Sequence, residues 1–362
     1  MLVQRVLMPV SGRESWALLG DDGGVVGPAE RYLAYLAAVE RSPNTVRAYA
    51  VSLKLWFEFR QHASVSWDEA GVEDVARFVA WLRAPAGNVV VLAGGSGARE
   101  PATVNRYLAG VSGFYDHHAR TGLGVAAGLV WWRRISRGWY KPFLHYVTKG
   151  RPIPVRPVKL HVPQCAPRIL APGQIVAILA ACEHLRDRFL LSLLAETGMR
   201  AGQALGLRHA DFVSRKREVH IVPRAGNANG ARAKLRPAAV VPVSAPLVRL
   251  YSEYMHVEYG GVDSDYVFVN LSGGRAGAAM TYPAVNQLIR RIAVRTGISF
   301  TAHMLRHSHA TGMVRQGVPI EVAARLLTHR SSTTTSQAYV HLDVAGIRQA
   351  LRRAGVWQQE VR

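Results

Sequence analysis

The sequence predicts a mainly α-helical protein with one small β-sheet, divided into two domains. Its 362 residues suffice for two separate cores, and most apolar residues recur at helical spacing. A proline-rich stretch, residues 121–168, separates the two regularly patterned parts. With 49% hydrophobic and 19% charged residues, the composition is typical of a folded protein.

No segment has the length or composition of a secretory signal or a membrane span. The two cysteines, Cys165 and Cys182, lack the CxxC spacing of a metal or redox site. We therefore expect a cytoplasmic protein with neither a disulfide framework nor a zinc site, and with no membrane partner.

The first domain is predicted to be helical over residues 28–120, after an N-terminal segment, residues 1–27, that is compatible with a hairpin. The segment "SPNTVRAYAVSLKLWFEFR" begins with a Ser42 cap and a proline, then repeats apolar residues at helical spacing. The other predicted helices are "AERYLAYLAAVE", "VEDVARFVAWLR" and "TVNRYLAGVSGFYDHHART".

Residues 121–168 are predicted to form an extended connector, because their prolines exclude a long helix. They lie in the part of the chain that holds the whole net charge of +21, since residues 1–120 carry twelve basic and twelve acidic residues. No carboxylate occurs between Asp116 and Glu183. Such a basic belt fits a polyanion such as the phosphate backbone of DNA. The alternatives are an ordinary linker and the arginine richness of a GC-rich genome.

The second domain, residues 169–362, is predicted to combine helices with two β-strands, "EVHIVP" and "AAVVPVS". A Gly- and Asn-rich segment between the strands is predicted to be a flexible turn. The predicted helices are "PGQIVAILAACE", "LRDRFLLSLLAETG", "APLVRLYSEYMHVEY", "YPAVNQLIRRIAVRTG", "TAHMLRHSHATGMVRQG", "PIEVAARLLTH" and "VAGIRQALRRAGV".

Four segments of this domain offer groups suited to a phosphodiester. Two guanidiniums clamp non-bridging oxygens, a lysine protonates the leaving oxygen, and a histidine activates a phenol whose pKa is near ~10. In chain order the groups are Arg200, Lys234, His303, Arg306, His329 and Tyr339. We expect Tyr339 to be the nucleophile and His303 its base.

Each group has an ordinary alternative when taken alone. An arginine in a glycine-rich turn is most often a cap or a surface residue, and a lone tyrosine is most often a core ring. His303, His307 and His309 have a spacing compatible with zinc, but no neighbouring carboxylate or cysteine completes a site. We therefore expect no metal. The hypothesis rests on the order and spacing of all six groups.

The ordered set resembles the catalytic signature of the tyrosine recombinases, also called the phage integrase family. The motifs "TGMR", "HMLRH" and "LTH…YVH" match that signature. The words "GARAK" and "VQRV…RSPNTVRAYAVSLKLWFEF" are more similar to the transposase A proteins of three-protein, target-specific bacterial transposons.

The resemblance implies a two-domain C-shaped DNA clamp, with a SAM-like core-binding domain and an α+β catalytic domain. It implies a bacterial, nucleoid-associated enzyme that forms a 3′-phosphotyrosyl intermediate without a metal or cofactor. The implied partners are double-stranded DNA and further copies of the chain, as dimers and a synaptic tetramer joined through the helix after Tyr339. Other transposition proteins of the same element are candidate partners.

Three features depart from the family's pattern. Gln203 stands where an acidic residue is usual, which bears on the support of Arg200, and Thr328 replaces a glycine in the turn at His329. The lysine hairpin is long, but Lys234 lies eight residues before Pro242, as in the family, whereas Lys216 falls too early. None of the three removes an essential group, so we expect an active enzyme.

DNA contacts outside the catalytic set are expected from two groups of residues. The resemblance indicates four on the first domain's helices, where the alternative is a solvated surface: Thr45, Arg47, Asn105 and Arg106. The basic belt supplies Arg133, Arg134, Lys141, Lys149 and Arg151. The rival functions are a catalytically silent architectural protein and a type IB topoisomerase.

Overall fold

The computed structural model describes residues 1–8, 12, 14–84, 99–122, 131–134, 152–155, 158–163, 167–224, 226–233 and 238–328. For residues 131–134 and 152–155 it describes the backbone alone. The chain divides into two compact units, Met1–Gln164 and Cys165–Arg362. In the described part of the chain, we find no helix with the length and apolar character needed to span a membrane.

The first unit begins with an antiparallel strand pair, in which Leu2 lies opposite Leu19 and Leu7 opposite Glu14. The strands and helices of this pair and the domain that follows are β1 (Leu2–Leu7), β2 (Glu14–Leu19), α1 (Gly27–Ala38), α2 (Pro43–His62), α3 (Val72–Arg83) and α4 (Pro101–Arg120). The predicted cap is confirmed, because the Ser42 hydroxyl accepts a hydrogen bond from the backbone N–H of Thr45.

The core of this unit is aromatic and centres on Trp56, which is fully buried. Its indole nitrogen donates to the Tyr115 hydroxyl at 3.0 Å, and that hydroxyl donates to the carbonyl of Trp67 at 2.7 Å. The two polar atoms are thereby satisfied inside an apolar cluster, so the rings are buried without an unpaired donor.

The proline-rich stretch contributes two short strands, β3 (Trp131–Arg134) and β4 (Pro152–Val155), which pair antiparallel. These eight residues are extended, as the prolines predict, but they form a ladder rather than an unpaired connector. The backbones of Arg133 and Arg134 therefore lie in β3, while the remaining belt residues Lys141, Lys149 and Arg151 lie outside the described residues.

The second unit packs helices around a small antiparallel sheet with strand order β5-β6-β7. Its elements are α5 (Pro172–Ala180), α6 (Leu185–Thr197), α7 (Ala201–Ala204), β5 (Phe212–Val213), β6 (Glu218–Ile221), β7 (Ala239–Pro242), α8 (Ala245–Tyr254), α9 (Tyr282–Thr296), α10 (Ala302–Arg315) and α11 (Ile320–Leu326). The buried leucines and Phe189 of α6 lie in the main core of the unit.

The prediction of two strands in this unit is incomplete. Strands β6 and β7 lie within the predicted segments, but β5 adds a third strand by pairing Phe212 with Val219. A strand of two residues has no alternation pattern that a sequence can reveal.

Candidate active site

The turn between α6 and α7 presents Arg200. Helix α6 ends at Gly198, whose φ of +62° is the left-handed conformation that glycine adopts without strain. A Cβ at this position would lie 2.7 Å from a Leu327 methyl carbon and 2.8 Å from the His309 ring, so the close packing also requires glycine. Arg200 is the N-cap residue of α7, and its backbone N–H donates to the Gln203 side-chain oxygen at 2.7 Å.

Helix α10 presents His303 and Arg306 on one face, as their spacing predicts. The Thr301 hydroxyl caps this helix by accepting from the backbone N–H of Met304. Arg306 is 1% exposed, and its two terminal nitrogens donate to the carbonyls of Gly198 and Leu327, each at 2.6 Å. Because a guanidinium keeps its charge at any ordinary pH, these carbonyl dipoles hold a buried positive charge in place.

The turn of Leu327 and Thr328, which follows α11, joins the two arginines. Leu327 supplies the carbonyl that Arg306 contacts, and the Thr328 hydroxyl oxygen lies 3.4 Å from a terminal nitrogen of Arg200. The same oxygen accepts from the side-chain nitrogen of Gln203 at 3.1 Å. Three separated segments of the chain therefore meet at this turn.

His303 lies in the electrostatic field of both guanidiniums. Partial burial, the charge of Arg306 and the charge of Arg200, in that order, lower the pKa of His303 below its ordinary value of 6.5. The imidazole is consequently neutral at pH 7 and available as a proton acceptor. Its ring packs edge to face against His307 at 4.3 Å between centroids.

His307 and His309 also have lowered pKa values. Burial, His303 and Arg306 lower the pKa of His307 to about 4, and burial is the largest cause of the lowered pKa of His309. The described residues contain no group of three or more metal-ligating His, Cys, Asp or Glu side chains.

Of the six predicted catalytic residues, three are described and lie together: Arg200, His303 and Arg306. Lys234, His329 and Tyr339 lie outside the described residues. The described turn ends at Thr328, immediately before His329 in the chain.

The segment preceding Lys234 contains a turn, as predicted, in which the Gly230 N–H donates to the Asn227 carbonyl at 2.9 Å. The Asn229 side-chain nitrogen donates to the carbonyls of Leu205 and Met280, at 2.9 and 2.8 Å. Asn227 accepts a hydrogen bond from Arg208 at 3.1 Å. The asparagine side chains thus connect this turn to distant segments of the chain, which its composition did not indicate.

The same loop runs against the helix that follows Arg200. The Arg232 carbonyl oxygen lies 2.8 Å from the position that a Cβ on Gly202 would occupy. A side chain at residue 202 would therefore displace the loop.

In the first unit, the predicted DNA-contacting residues are described individually. The Thr45 hydroxyl is 2.9 Å from that of Ser42, so it belongs to the helix cap. Arg47 is exposed and lies over the Trp16 ring at 5.0 Å, and Arg106 is exposed and lies over the Tyr107 ring at 5.3 Å. In both exposed arginines, therefore, the guanidinium carbon itself lies over an aromatic ring.

Asn105 has a structural role that the sequence did not reveal. Its side-chain nitrogen donates to the Leu160 carbonyl at 2.9 Å and its side-chain oxygen accepts from the Leu160 N–H at 2.8 Å. These two bonds attach the end of the proline-rich stretch to α4. One amide N–H of Asn105 remains beyond this pair, and contact of this residue with DNA stays a prediction.

Sequence analysis identified Gln203 and Thr328 as departures that bear on the support of Arg200 and on the turn at His329, but it did not predict that the two side chains touch. Their side chains form the contact that reaches Arg200. The sequence signal that could have indicated this contact is that two positions, 125 residues apart in the chain, both depart from the family's motifs.

Two family models match the chain. The model described as the phage integrase family matches residues 168–345, and the one described as the phage integrase N-terminal SAM-like domain matches residues 29–122. Transposase A from transposon Tn554 of Staphylococcus aureus is 37% identical over 344 residues, which cover 94% of each chain. Tyrosine recombinase XerA from Pyrococcus horikoshii is 28% identical over 193 residues, covering 53% of this chain and 63% of that protein.

Solved structures share the fold. The integrase of transposon Tn1549, in complex with a circular intermediate DNA, superimposes with a TM-score of 0.61 at 13% identity, covering 90% of this chain and 99% of that one. A lambda integrase dimer bound to a core site gives a TM-score of 0.52 at 14% identity, covering 93% of this chain and 80% of that one. At such identities the likeness concerns the fold alone.

Proposed function

Because the chain belongs to the phage integrase family of tyrosine recombinases, we propose that it is a site-specific DNA recombinase of the transposase type that cleaves and rejoins strands through Tyr339. The observation that carries the proposal is the convergence of Arg200, His303 and Arg306 at the Leu327–Thr328 turn. The likeness to Tn554 transposase A over 94% of both chains supports transposition as the biological setting.

The two guanidiniums would neutralise the charge that develops on the non-bridging oxygens of the scissile phosphate. Such preorganised donors contribute most where they need not rearrange during the reaction. Arg306 meets that condition, because two carbonyls fix its guanidinium. Arg200 is only partly buried, which suits a group that completes the clamp from the open side of the site.

The cleavage step transfers the phosphoryl group from oxygen to oxygen. The Tyr339 phenol oxygen forms a bond to phosphorus, and the bond from phosphorus to the 5′ oxygen breaks. The phenol proton passes to neutral His303, while Lys234 donates a proton to the 5′ oxygen. His329 would stabilise the same phosphate. Attack by a 5′-hydroxyl of a second duplex reverses the step and completes strand exchange.

DNA binding is assigned to Thr45, Arg47, Asn105, Arg106 and the basic belt, residues 131–159. The belt contributes charge without a compensating carboxylate, so its neutralisation would flatten the salt dependence of binding. On DNA we infer dimers and a synaptic tetramer joined through the helix that the sequence predicts after Tyr339, with other transposition proteins of the element as further partners.

A nicked duplex carrying the end of the mobile element that encodes the protein tests the proposal. The nick lets the cleaved 5′ end diffuse away, so a covalent adduct accumulates and is visible on a denaturing gel. We expect an adduct with the wild-type protein and none with Tyr339→Phe. Tyr282→Phe is the matched control, because that ring is 51% exposed and has no assigned role.

The alternatives predict different outcomes. An architectural protein would bind the duplex tightly and give no adduct. A type IB topoisomerase would form the adduct and relax supercoiled DNA, but would not join strands of two duplexes. An adduct that persists in Tyr339→Phe would refute the choice of nucleophile.

A further inference from the structure

The two departures from the family's motifs, Gln203 and Thr328, touch each other and Arg200. The Thr328 hydroxyl oxygen accepts from the Gln203 side-chain nitrogen at 3.1 Å and lies 3.4 Å from a terminal nitrogen of Arg200. The Gln203 side-chain oxygen accepts from the Arg200 backbone N–H at 2.7 Å. One glutamine thus contacts the backbone of Arg200 directly and its guanidinium through Thr328.

Thr328 occupies a backbone conformation that disfavours its side chain. Its φ is +54°, in the left-handed region where glycine is unstrained and a β-branched residue is rarely found. Strain of this kind persists where the surrounding structure requires it, and it concentrates at functional sites. Compared with glycine, threonine adds a methyl group and a hydroxyl, and the hydroxyl oxygen is the atom that contacts Arg200.

The burial and the hydrogen-bonding chemistry of Gln203 and Thr328 favour an arrangement in which the Thr328 hydroxyl accepts from both Gln203 and Arg200. Gln203 is 2% exposed and Thr328 is 8% exposed, so neither side chain is free to find other partners. A hydroxyl oxygen has two lone pairs and accepts from both neighbours at once. A carboxylate at position 203 would have no N–H to donate to Thr328, and its charge would offset that of Arg200. The neutral amide holds the arginine without that offset.

We propose that Gln203 and Thr328 are a positioning pair that orients Arg200 toward the scissile phosphate. Because Gln203 is neutral, it adds no negative charge that would offset the charge of the Arg200 guanidinium. The inference rests on the proposed function, since it names what aligns one half of the phosphate clamp. Through the Leu327 carbonyl, which accepts from Arg306 at 2.6 Å, the same turn fixes the second half.

Thr328→Val and Thr328→Ser separate the hydroxyl from the shape of the side chain. Valine keeps the volume and the β-branch but loses the hydroxyl, whereas serine keeps the hydroxyl. We expect Thr328→Val to reduce single-turnover cleavage of the nicked duplex by about tenfold, the effect of one hydrogen bond to a charged group. Binding of the duplex should be unchanged, and Thr328→Ser should cleave within about threefold of wild type, less than the loss of that bond.

The charge of the substrate distinguishes positioning of Arg200 from a general structural role. A methylphosphonate at the scissile position removes the negative charge that Arg200 neutralises. If the pair acts through that guanidinium, the loss caused by Thr328→Val shrinks to about threefold or less on this duplex. An equal loss on the charged and uncharged duplexes would overturn the proposal.

Gln203→Met gives an independent test should Thr328→Val fail to fold. Methionine fills a similar volume without hydrogen-bonding to Thr328. We expect the same pattern, with a smaller loss on the methylphosphonate duplex than on the natural one. The double variant Gln203→Met/Thr328→Val should lose less than the product of the two single losses, because both variants break the contact between Gln203 and Thr328.

The outcomes distinguish this inference from the function on which it rests. If the wild-type protein forms no adduct, the proposed function fails and the inference falls with it. If the wild type cleaves and both Thr328→Val and Gln203→Met cleave at the same rate, the positioning pair alone is refuted.

Discussion

Helix α10 and the turn before α7 each deliver a guanidinium to the same place, but they hold it differently. Arg306 on α10 is buried and donates to main-chain carbonyls of Gly198 and Leu327. Arg200 in the turn is partly exposed, and one of its terminal nitrogens lies 3.4 Å from the Thr328 hydroxyl oxygen. The contacts of Arg306 are to main-chain atoms, whereas that of Arg200 is to a side chain. The site therefore combines a buried guanidinium held by the main chain, called here the fixed charge, with a partly exposed guanidinium that contacts a side chain, called the adjustable charge.

Replacing the fixed charge should have the largest effect. In Arg306→Ala two buried carbonyls lose a charged donor, so we expect a loss of stability of about 3 kcal/mol together with a fall in cleavage of at least about 100-fold. Thermal unfolding and single-turnover cleavage measure the two effects. Arg291→Ala, at an exposed position of α9, is the control and should change neither.

Replacing the adjustable charge should separate activity from stability. We expect Arg200→Ala to lose cleavage by at least about 100-fold while stability falls by less than about 1 kcal/mol, because the side chain is only partly buried. The same two measurements apply. Destabilisation as large as that of Arg306→Ala would break the distinction between the two regions.

The pKa of His303 depends on both arginines, and we expect a change of pH to affect cleavage less than the loss of either guanidinium. Because its pKa is lowered below 6.5, the neutral base is present at pH 7, and cleavage should fall by up to about tenfold per pH unit only below that lowered pKa. The folded protein binds this proton more weakly than the unfolded chain, so stability also decreases as pH falls through and below about 6.5.

The pKa of His303, followed by NMR, should rise in Arg200→Ala, since one of the two positive neighbours is removed. An unchanged pKa would show that the Arg200 charge does not reach the imidazole.

Patterns local in the chain were predictable from sequence. The Ser42 cap, the helix that ends at Gly198 and the placement of His303 and Arg306 on one helical face follow from spacing and capping chemistry. The family membership followed from motif words in a fixed order.

Contacts between distant segments were not predictable in the same way. Asn229 bridges Leu205 and Met280, and no pattern around residue 229 indicates either partner. The strand Phe212–Val213 was missed because two residues carry no period. The sequence shows that Thr328 replaces a glycine of the motif, but it does not show that the turn places the Thr328 hydroxyl beside Gln203.

A structure of the protein on a nicked duplex, with vanadate linking Tyr339 and the 5′ oxygen, tests the central claim most directly. Vanadate adopts the five-coordinate geometry of the transferring phosphoryl group. We predict that guanidinium nitrogens of both Arg200 and Arg306 lie about 2.7–3.1 Å from its equatorial oxygens, with Arg306 still bound to the Gly198 and Leu327 carbonyls. Vanadate seated on the protein with either guanidinium out of hydrogen-bonding range would contradict the account.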